Sequence, residues 1–201
     1  MLTDEQLDKF LKVIDTEEDW RDFFYTELTT GLRRGEICGL KWSDFDEETG
    51  RLNINRSIEV KDEIVTEGET KTGKGKRSFY LPESTANILR EKKTAKTEWI
   101  FTDQLKANLP IAPPKAYRKM KEILNRAELP NVRFHDLRHT FATHAITSGV
   151  DAKTLSGILG HTKASFTLDT YTHVTTDMQR RASNIIGNFI NEIFGEELKN
   201  D

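Results

Sequence analysis

The sequence predicts a mainly α chain carrying one small three-stranded antiparallel sheet. Two observations lead there. Apolar residues recur at three-to-four spacing through the first and last thirds, as on helix faces, and strict alternation is confined to a short central stretch. Glycine, proline and Asn/Asp-containing turns stand where one pattern gives way to the other.

Thr3-Asp4-Glu5-Gln6 is a capping box, and it opens a helix whose inner face carries Leu7, Phe10, Leu11 and Ile14. A second helix over 16–29 has Trp20, Phe23, Phe24 and Leu28 as its apolar stripe. Gly31 ends it, Arg33 begins a short third helix, and Trp42–Asp46 leads into a turn at Glu47–Gly50. Residues 51–60, 63–70 and 76–81 read as three strands of one sheet, with Lys61-Asp62 and Gly73-Lys74-Gly75 as turns. A helix follows Pro82 over 83–93, and Trp99-Ile100-Phe101 forms an apolar plug. Pro110, Pro113 and Pro114 mark a loop before a helix over 115–127, which Pro130 closes. The final third is expected to be helical over 136–148, 151–158, 163–170 and 176–195, the last a long helix and tail running to 201. There is no internal repeat and no low-complexity linker, so residues 1–201 are expected to form one domain.

With 201 residues, 36% hydrophobic and 31% charged, the chain can bury a core and is no disordered polyelectrolyte. No apolar run approaches the ~20 residues that span a bilayer, and the acidic start Met1–Glu5 is no secretory signal. A lone cysteine, Cys38, suits a reducing compartment, so a cytoplasmic location is expected. Net charge is −3, but the charges are clustered. Asp4, Glu5, Asp8, Asp15, Glu17, Glu18, Asp19 and Asp22 crowd the start, whereas Lys71, Lys74, Lys76, Arg77, Lys115, Arg118, Lys119, Lys121 and Arg126 form two basic runs. An acidic back and a basic front are expected, and a phosphate backbone responds to the local field rather than to the total.

The chemistry concentrates late in the chain. Tyr171 follows His161 by ten positions in Leu159-Gly160-His161…Asp169-Thr170-Tyr171, and His135-Asp136-Leu137-Arg138 lies just upstream. A phenol with a pKa of ~10 is almost wholly protonated at neutral pH, so its attack on a phosphodiester needs a nearby base. It also needs donors aimed at the developing charge, and arginine's planar fork supplies them. More donors stand in Thr30-Gly31-Leu32-Arg33-Arg34-Gly35-Glu36, with Glu36 one turn beyond Arg33. Between the arginine regions lies the basic turn Thr70-Lys71-Thr72-Gly73-Lys74-Gly75-Lys76-Arg77, from which a lysine can protonate a leaving oxygen.

Thr30–Glu36, Lys71, His135–Arg138, Leu159–His161 and Tyr171 resemble, in order and spacing, the catalytic domain of tyrosine site-specific recombinases, in particular phage and conjugative-transposon integrases. One such motif alone is weak, but five in order over nearly the whole chain are specific. The resemblance implies that Tyr171 forms a 3′-phosphotyrosyl link to double-stranded DNA. It implies that Arg33, Arg138 and His161 stabilise the phosphoryl oxygens and that His135 assists as base or hydrogen-bond partner. Lys71 would protonate the leaving 5′ oxygen, with Lys74 and Lys76 close by on the same turn, and Glu36 would orient the site. Arg34, Lys74, Lys76, Arg77, Lys115, Arg118 and Lys119 are the candidate contacts to DNA. The resemblance also implies other recombinase protomers as partners, engaged through the last helix. No metal or cofactor is expected, because the bonds exchanged are of similar energy. The family's core-binding and arm-binding domains have no counterpart in these 201 residues. A type IB topoisomerase-like relaxing enzyme and a catalytically silent DNA-binding module are the competing readings.

Two other motifs fall away. Gly68…Gly73-Lys74 is followed by Gly75 rather than Ser or Thr, and then by a strand-like run, so it is no P-loop. His135 and His139 have zinc-like helical spacing, but Asp136 replaces the glutamate of the zinc-protease motif and no third ligand is evident.

Overall fold

A computed structural model describes residues 1–62, 64–69, 75–93, 97–103, 105–160, 180 and 183–188. Helix α1 (Asp4–Ile14) opens on the capping box: the Thr3 amide donates to Gln6 Oε1 at 3.0 Å, and the Gln6 amide donates to Thr3 Oγ1 at 3.3 Å. Helix α2 (Arg21–Thr30) ends at Gly31, whose φ of +59° is the left-handed conformation that glycine adopts without strain. Helix α3 (Arg34–Cys38) follows at once.

The β region departs from expectation. The alternating run breaks at Asn55 into β2 (Arg51–Ile54) and β3 (Arg56–Lys61). β2 lies between β1 (Phe45–Asp46) and β5 (Arg77–Tyr80) in a three-stranded antiparallel sheet, with Leu52 opposite both Phe45 and Phe79. β3 pairs separately with β4 (Ile64–Glu69). The corner is held by Asp44, buried in the short 3-10 turn Trp42–Asp44. It accepts from Asn55 Nδ2 at 2.8 Å and is ion-paired with Arg56. The chain thus changes sheets without losing its alternation.

Helix α4 is Glu83–Lys92, and a hairpin of β6 (Thr102–Asp103) and β7 (Lys106–Pro110) occupies what reads in sequence as loop. Helix α5 (Pro113–Arg126) starts earlier than expected, because Pro113 and Pro114 sit in the first turn, where a missing N–H costs nothing. Helices α6 (Phe134–Thr147) and α7 (Ala152–Leu159) follow. The expected helix over 163–170 and most of that over 176–195 lie outside the described residues. Residues 183–188 are helical, and Ile185 and Ile186 there are 69% and 61% exposed.

The core joins α1, α2, α5 and the start of α6. Phe23 contacts Phe24 and Phe101 edge-on, both at 5.2 Å between ring centroids, and Phe134 closes the group at 6.4 Å from Phe23. The plug Trp99–Phe101 is buried as expected. A smaller cluster of Ala142, Ile146, Leu155 and Leu159 fastens α7 to α6. That second cluster carries the end of α7 to the arginines described next. No described helix is long and apolar enough to cross a membrane.

Candidate active site

Arg33 is the N-cap of α3. Its backbone N–H donates to Glu36 Oε2 at 2.9 Å and its Nη1 to Glu36 Oε1 at 2.7 Å. The local sequence therefore fixes this arginine by helix capping, with an acid at the third helical position satisfying an orphan amide. The side chain stays 44% exposed and reaches the Gly160 carbonyl through Nη2 at 3.1 Å. Arg138 comes from the first turns of α6 and is 2% exposed. Its Nη1 donates to the Gly31 carbonyl at 2.8 Å and its Nη2 to the Leu159 carbonyl at 2.7 Å. The two arginines of the expected clamp therefore meet at one helix end, that of α7, immediately before His161.

A third arginine joins them. Arg77 donates from Nε to the Ile158 carbonyl at 2.6 Å, and from Nη1 and Nη2 to the two oxygens of Glu36 at 3.0 and 2.8 Å. Its side chain is 7% exposed. Arg77, expected among the DNA contacts, turns its fork inward and is engaged with protein acceptors. Burial alone would raise the Glu36 carboxyl, but hydrogen bonds and charge from Arg77, then from Arg33, bring it down to about 2. Burial, reinforced by the charges of Arg33 and Arg77, lowers Arg138 to about 10, so it remains a cation at neutral pH. Glu27, fully buried in α2, has no hydrogen-bond partner on either oxygen among the described residues, and burial raises its carboxyl well above the usual range despite the nearby charge of Arg138. Three guanidiniums thus face one ionised carboxylate, which leaves a positive surplus suited to an anion.

His135 lies at the start of α6, with its ring edge-on to His139 at 4.6 Å between centroids. Burial, then the neighbouring His139 and Arg138, hold its pKa below the ordinary 6.5, so at neutral pH it is an uncharged imidazole able to accept a proton. Among the described residues no cluster of His, Cys, Asp or Glu is arranged to hold a metal. Lys71, Lys74, His161 and Tyr171 lie outside the described residues.

The expected DNA-facing cations divide. Lys76 and Arg118 are exposed, and Arg34 is half-buried with its guanidinium 5.5 Å from the Tyr117 ring centroid. Lys119 is instead neutralised by Glu17 at 2.8 Å and Glu122 at 2.9 Å, and Lys115 by Asp103 at 3.0 Å. Glu17 also pairs with Arg126. The segregation into an acidic back and a basic front is therefore incomplete, because α1 packs on α5 and brings the two charge runs together.

Arg133 escaped the sequence reading. It caps α6 as Arg33 caps α3: its backbone N–H donates to Asp136 Oδ2 at 2.7 Å and its Nη2 to Oδ1 at 2.9 Å. The repeated pattern Arg-x-x-acid at 33–36 and 133–136 was the available signal. A cleft of about 310 Å³ opens between Arg33, Arg34, Tyr117, Arg133 and His135, so the candidate site continues into a cationic groove.

Mainly α, with small antiparallel sheets and two arginines converging on the helix end ahead of a histidine and a tyrosine, the chain has the architecture of tyrosine-recombinase catalytic domains. It belongs to the Phage integrase family, whose sequence pattern matches residues 1–178. It is 30% identical to the tyrosine recombinase XerC-like protein of Caldanaerobacter subterraneus subsp. tengcongensis, over 90% of this chain and 52% of that protein. It is 32% identical to the transposase from transposon Tn916 of Enterococcus faecalis, over 88% of this chain and 48% of that one. The chain thus spans about half the length of these curated relatives. Among solved structures, the Tn1549 transposon integrase in complex with circular intermediate DNA matches with a TM-score of 0.78 at 25% identity, covering 92% of this chain and 66% of that one. The catalytic domain of bacteriophage HP1 integrase, 22% identical, shares the fold with a TM-score of 0.63 over 92% of this chain and 93% of that one.

Proposed function

We propose that this chain is the catalytic domain of a site-specific recombinase that cleaves and rejoins double-stranded DNA through a 3′-phosphotyrosyl intermediate. The observation that carries the reading is the convergence of Arg33 and Arg138, far apart in sequence, on the Gly160 and Leu159 carbonyls that lead into His161. Tyr171 Oη attacks the scissile phosphorus, its proton passes to a base for which neutral His135 is the candidate, and the 5′ oxygen leaves with a proton from Lys71. Arg33, Arg138 and His161 offset the charge that grows on the non-bridging oxygens. Attack by a 5′-hydroxyl of a second duplex reverses the chemistry and completes the exchange. Bond energy is conserved, so the scheme requires neither ATP nor a metal. Arg34, Lys76, Arg118 and the Arg133 groove would follow the DNA backbone. The exposure of Ile185 and Ile186 supports burial of the last helix against another protomer on DNA.

A nicked suicide duplex tests this. The protein is expected to form an adduct that survives SDS, with or without EDTA, and Tyr171→Phe is expected to abolish the adduct while leaving DNA binding intact. An adduct that persists in the variant overturns the assignment. Arg33→Ala should slow adduct formation by ~10²–10³, the usual loss for one preorganised donor.

A further inference from the structure

The last three carbonyls of α7 and its cap are each taken by a different arginine: Ile158 by Arg77, Leu159 by Arg138 and Gly160 by Arg33. A helix C-terminus exposes orphan carbonyls carrying partial negative charge, so cations are favoured there. Two of these arginines belong to the clamp proposed above. The third does something different.

Arg77 comes from β5 and closes a ring. Starting at the Ile158 carbonyl, the hydrogen bonds run through Arg77 to both oxygens of Glu36, then from the same two oxygens to the Arg33 amide and Nη1, and from Arg33 Nη2 to the Gly160 carbonyl. The ring fastens β5, α3 and the end of α7 into one unit. It also packs tightly: Gly160 has φ of +67°, and a Cβ there would stand 2.9 Å from Arg77 Nη1 and 3.0 Å from its Cδ. All three nitrogens of its fork are engaged by protein acceptors, Nε by the Ile158 carbonyl, Nη1 by Glu36 and the Gly75 carbonyl, and Nη2 by Glu36.

We propose that Arg77 is a positioning residue for the cleavage reaction, which acts through Glu36 on Arg33 and through Ile158 on the chain entering His161, without touching DNA. This rests on the recombinase reading above. Its chemistry demands arginine. A bidentate fork on Glu36 plus an Nε donor to a separate carbonyl needs three N–H directions in one plane, whereas lysine presents one nitrogen and cannot bridge the two acceptors.

The test uses this chain with Arg77→Ala and Arg77→Lys, in single-turnover cleavage of the suicide duplex at saturating protein, alongside DNA affinity at several salt concentrations. Both variants are expected to cleave at least tenfold more slowly while DNA Kd stays within about twofold and its salt dependence is unchanged. Added guanidinium, but not equimolar ammonium, should restore part of the Arg77→Ala rate. Weakened binding with a shallower salt dependence and normal cleavage at saturation would make Arg77 a DNA contact and overturn the proposal, as would unchanged cleavage. Loss of folded protein in both variants overturns it too, since Arg77 would then brace the fold rather than the site. Hydrogen exchange without DNA separates this proposal from the functional reading. Arg77→Ala should speed exchange in peptides covering 34–38 and 156–160, and unchanged exchange there overturns the ring even if the wild-type protein forms no adduct.

Discussion

Glu27 and Glu36 are both buried carboxyls near the same arginines, yet their environments drive them in opposite directions. Glu36 accepts four hydrogen bonds that hold its carboxyl low, whereas neither Glu27 oxygen has a partner among the described residues and burial pushes its carboxyl up. The difference sets a pH dependence. Below the ordinary carboxylate pKa, Glu27 is protonated in both folded and unfolded chains and adds no pH-dependent cost. As pH rises past that value the unfolded chain ionises freely while the folded one cannot, so stability falls with pH up to the raised folded pKa. Glu27→Gln removes this slope. Its melting temperature should exceed that of the wild-type protein at pH 7–8 and match it near pH 4, as thermal denaturation across that range will show. Equal melting temperatures at pH 8 would mean that the carboxyl finds a partner. Neither role was legible in the sequence beyond the local pair. Arg33 and Glu36 lie three apart, a spacing that pairs them on one helix turn, and the capping bond is what the fold adds. Arg77 reads as a basic turn residue, because its partners lie 41 and 81 positions away.

At the scale of elements, the site depends on how closely α3 lies on β3. Gly35 makes that possible: a Cβ there would stand 2.3 Å from Ser57 Oγ and 2.6 Å from the Ile58 carbonyl. Backbone cannot yield as a side-chain tip can. Gly35→Ala should therefore push α3 off the strand and destabilise the domain by about 1–3 kcal/mol, the common cost of overpacking, measurable by urea denaturation. A change within about 0.5 kcal/mol would show that the helix slides freely. Helices were the more legible elements, since Thr3 with Gln6 and Gly31 announce their ends through local chemistry. The division of 51–60 into two strands was hidden because Leu52, Ile54 and Ile58 stay in phase across the corner at Asn55. Alternation reports which face is buried but not which sheet a strand joins. The β6–β7 hairpin was hidden by Pro110, tolerated there at the end of an edge strand.

Across the whole molecule, charge reads differently in three dimensions than along the chain. Arg118 is exposed with no ion pair among the described residues, whereas its neighbour Lys119 is held between Glu17 and Glu122. If α5 faces DNA, Arg118→Ala should lower the slope of log binding constant against log salt by ~1 and Lys119→Ala should leave it unchanged. Equal slopes for both variants would place α5 away from the backbone. Linear charge runs suggested both residues equally, because the position of Glu17 beside α5 is a product of the fold.

The ring through Ile158, Arg77, Glu36, Arg33 and Gly160 couples side chains that lie far apart in sequence. Arg77 and Glu36 are joined by one shared contact, and losing either side chain removes it. Single losses at Arg77 and at Glu36 should therefore not sum: Arg77→Ala combined with Glu36→Gln should cleave DNA about as slowly as the worse of the two alone. Two positions 41 residues apart would then behave in a double-mutant cycle as a single residue.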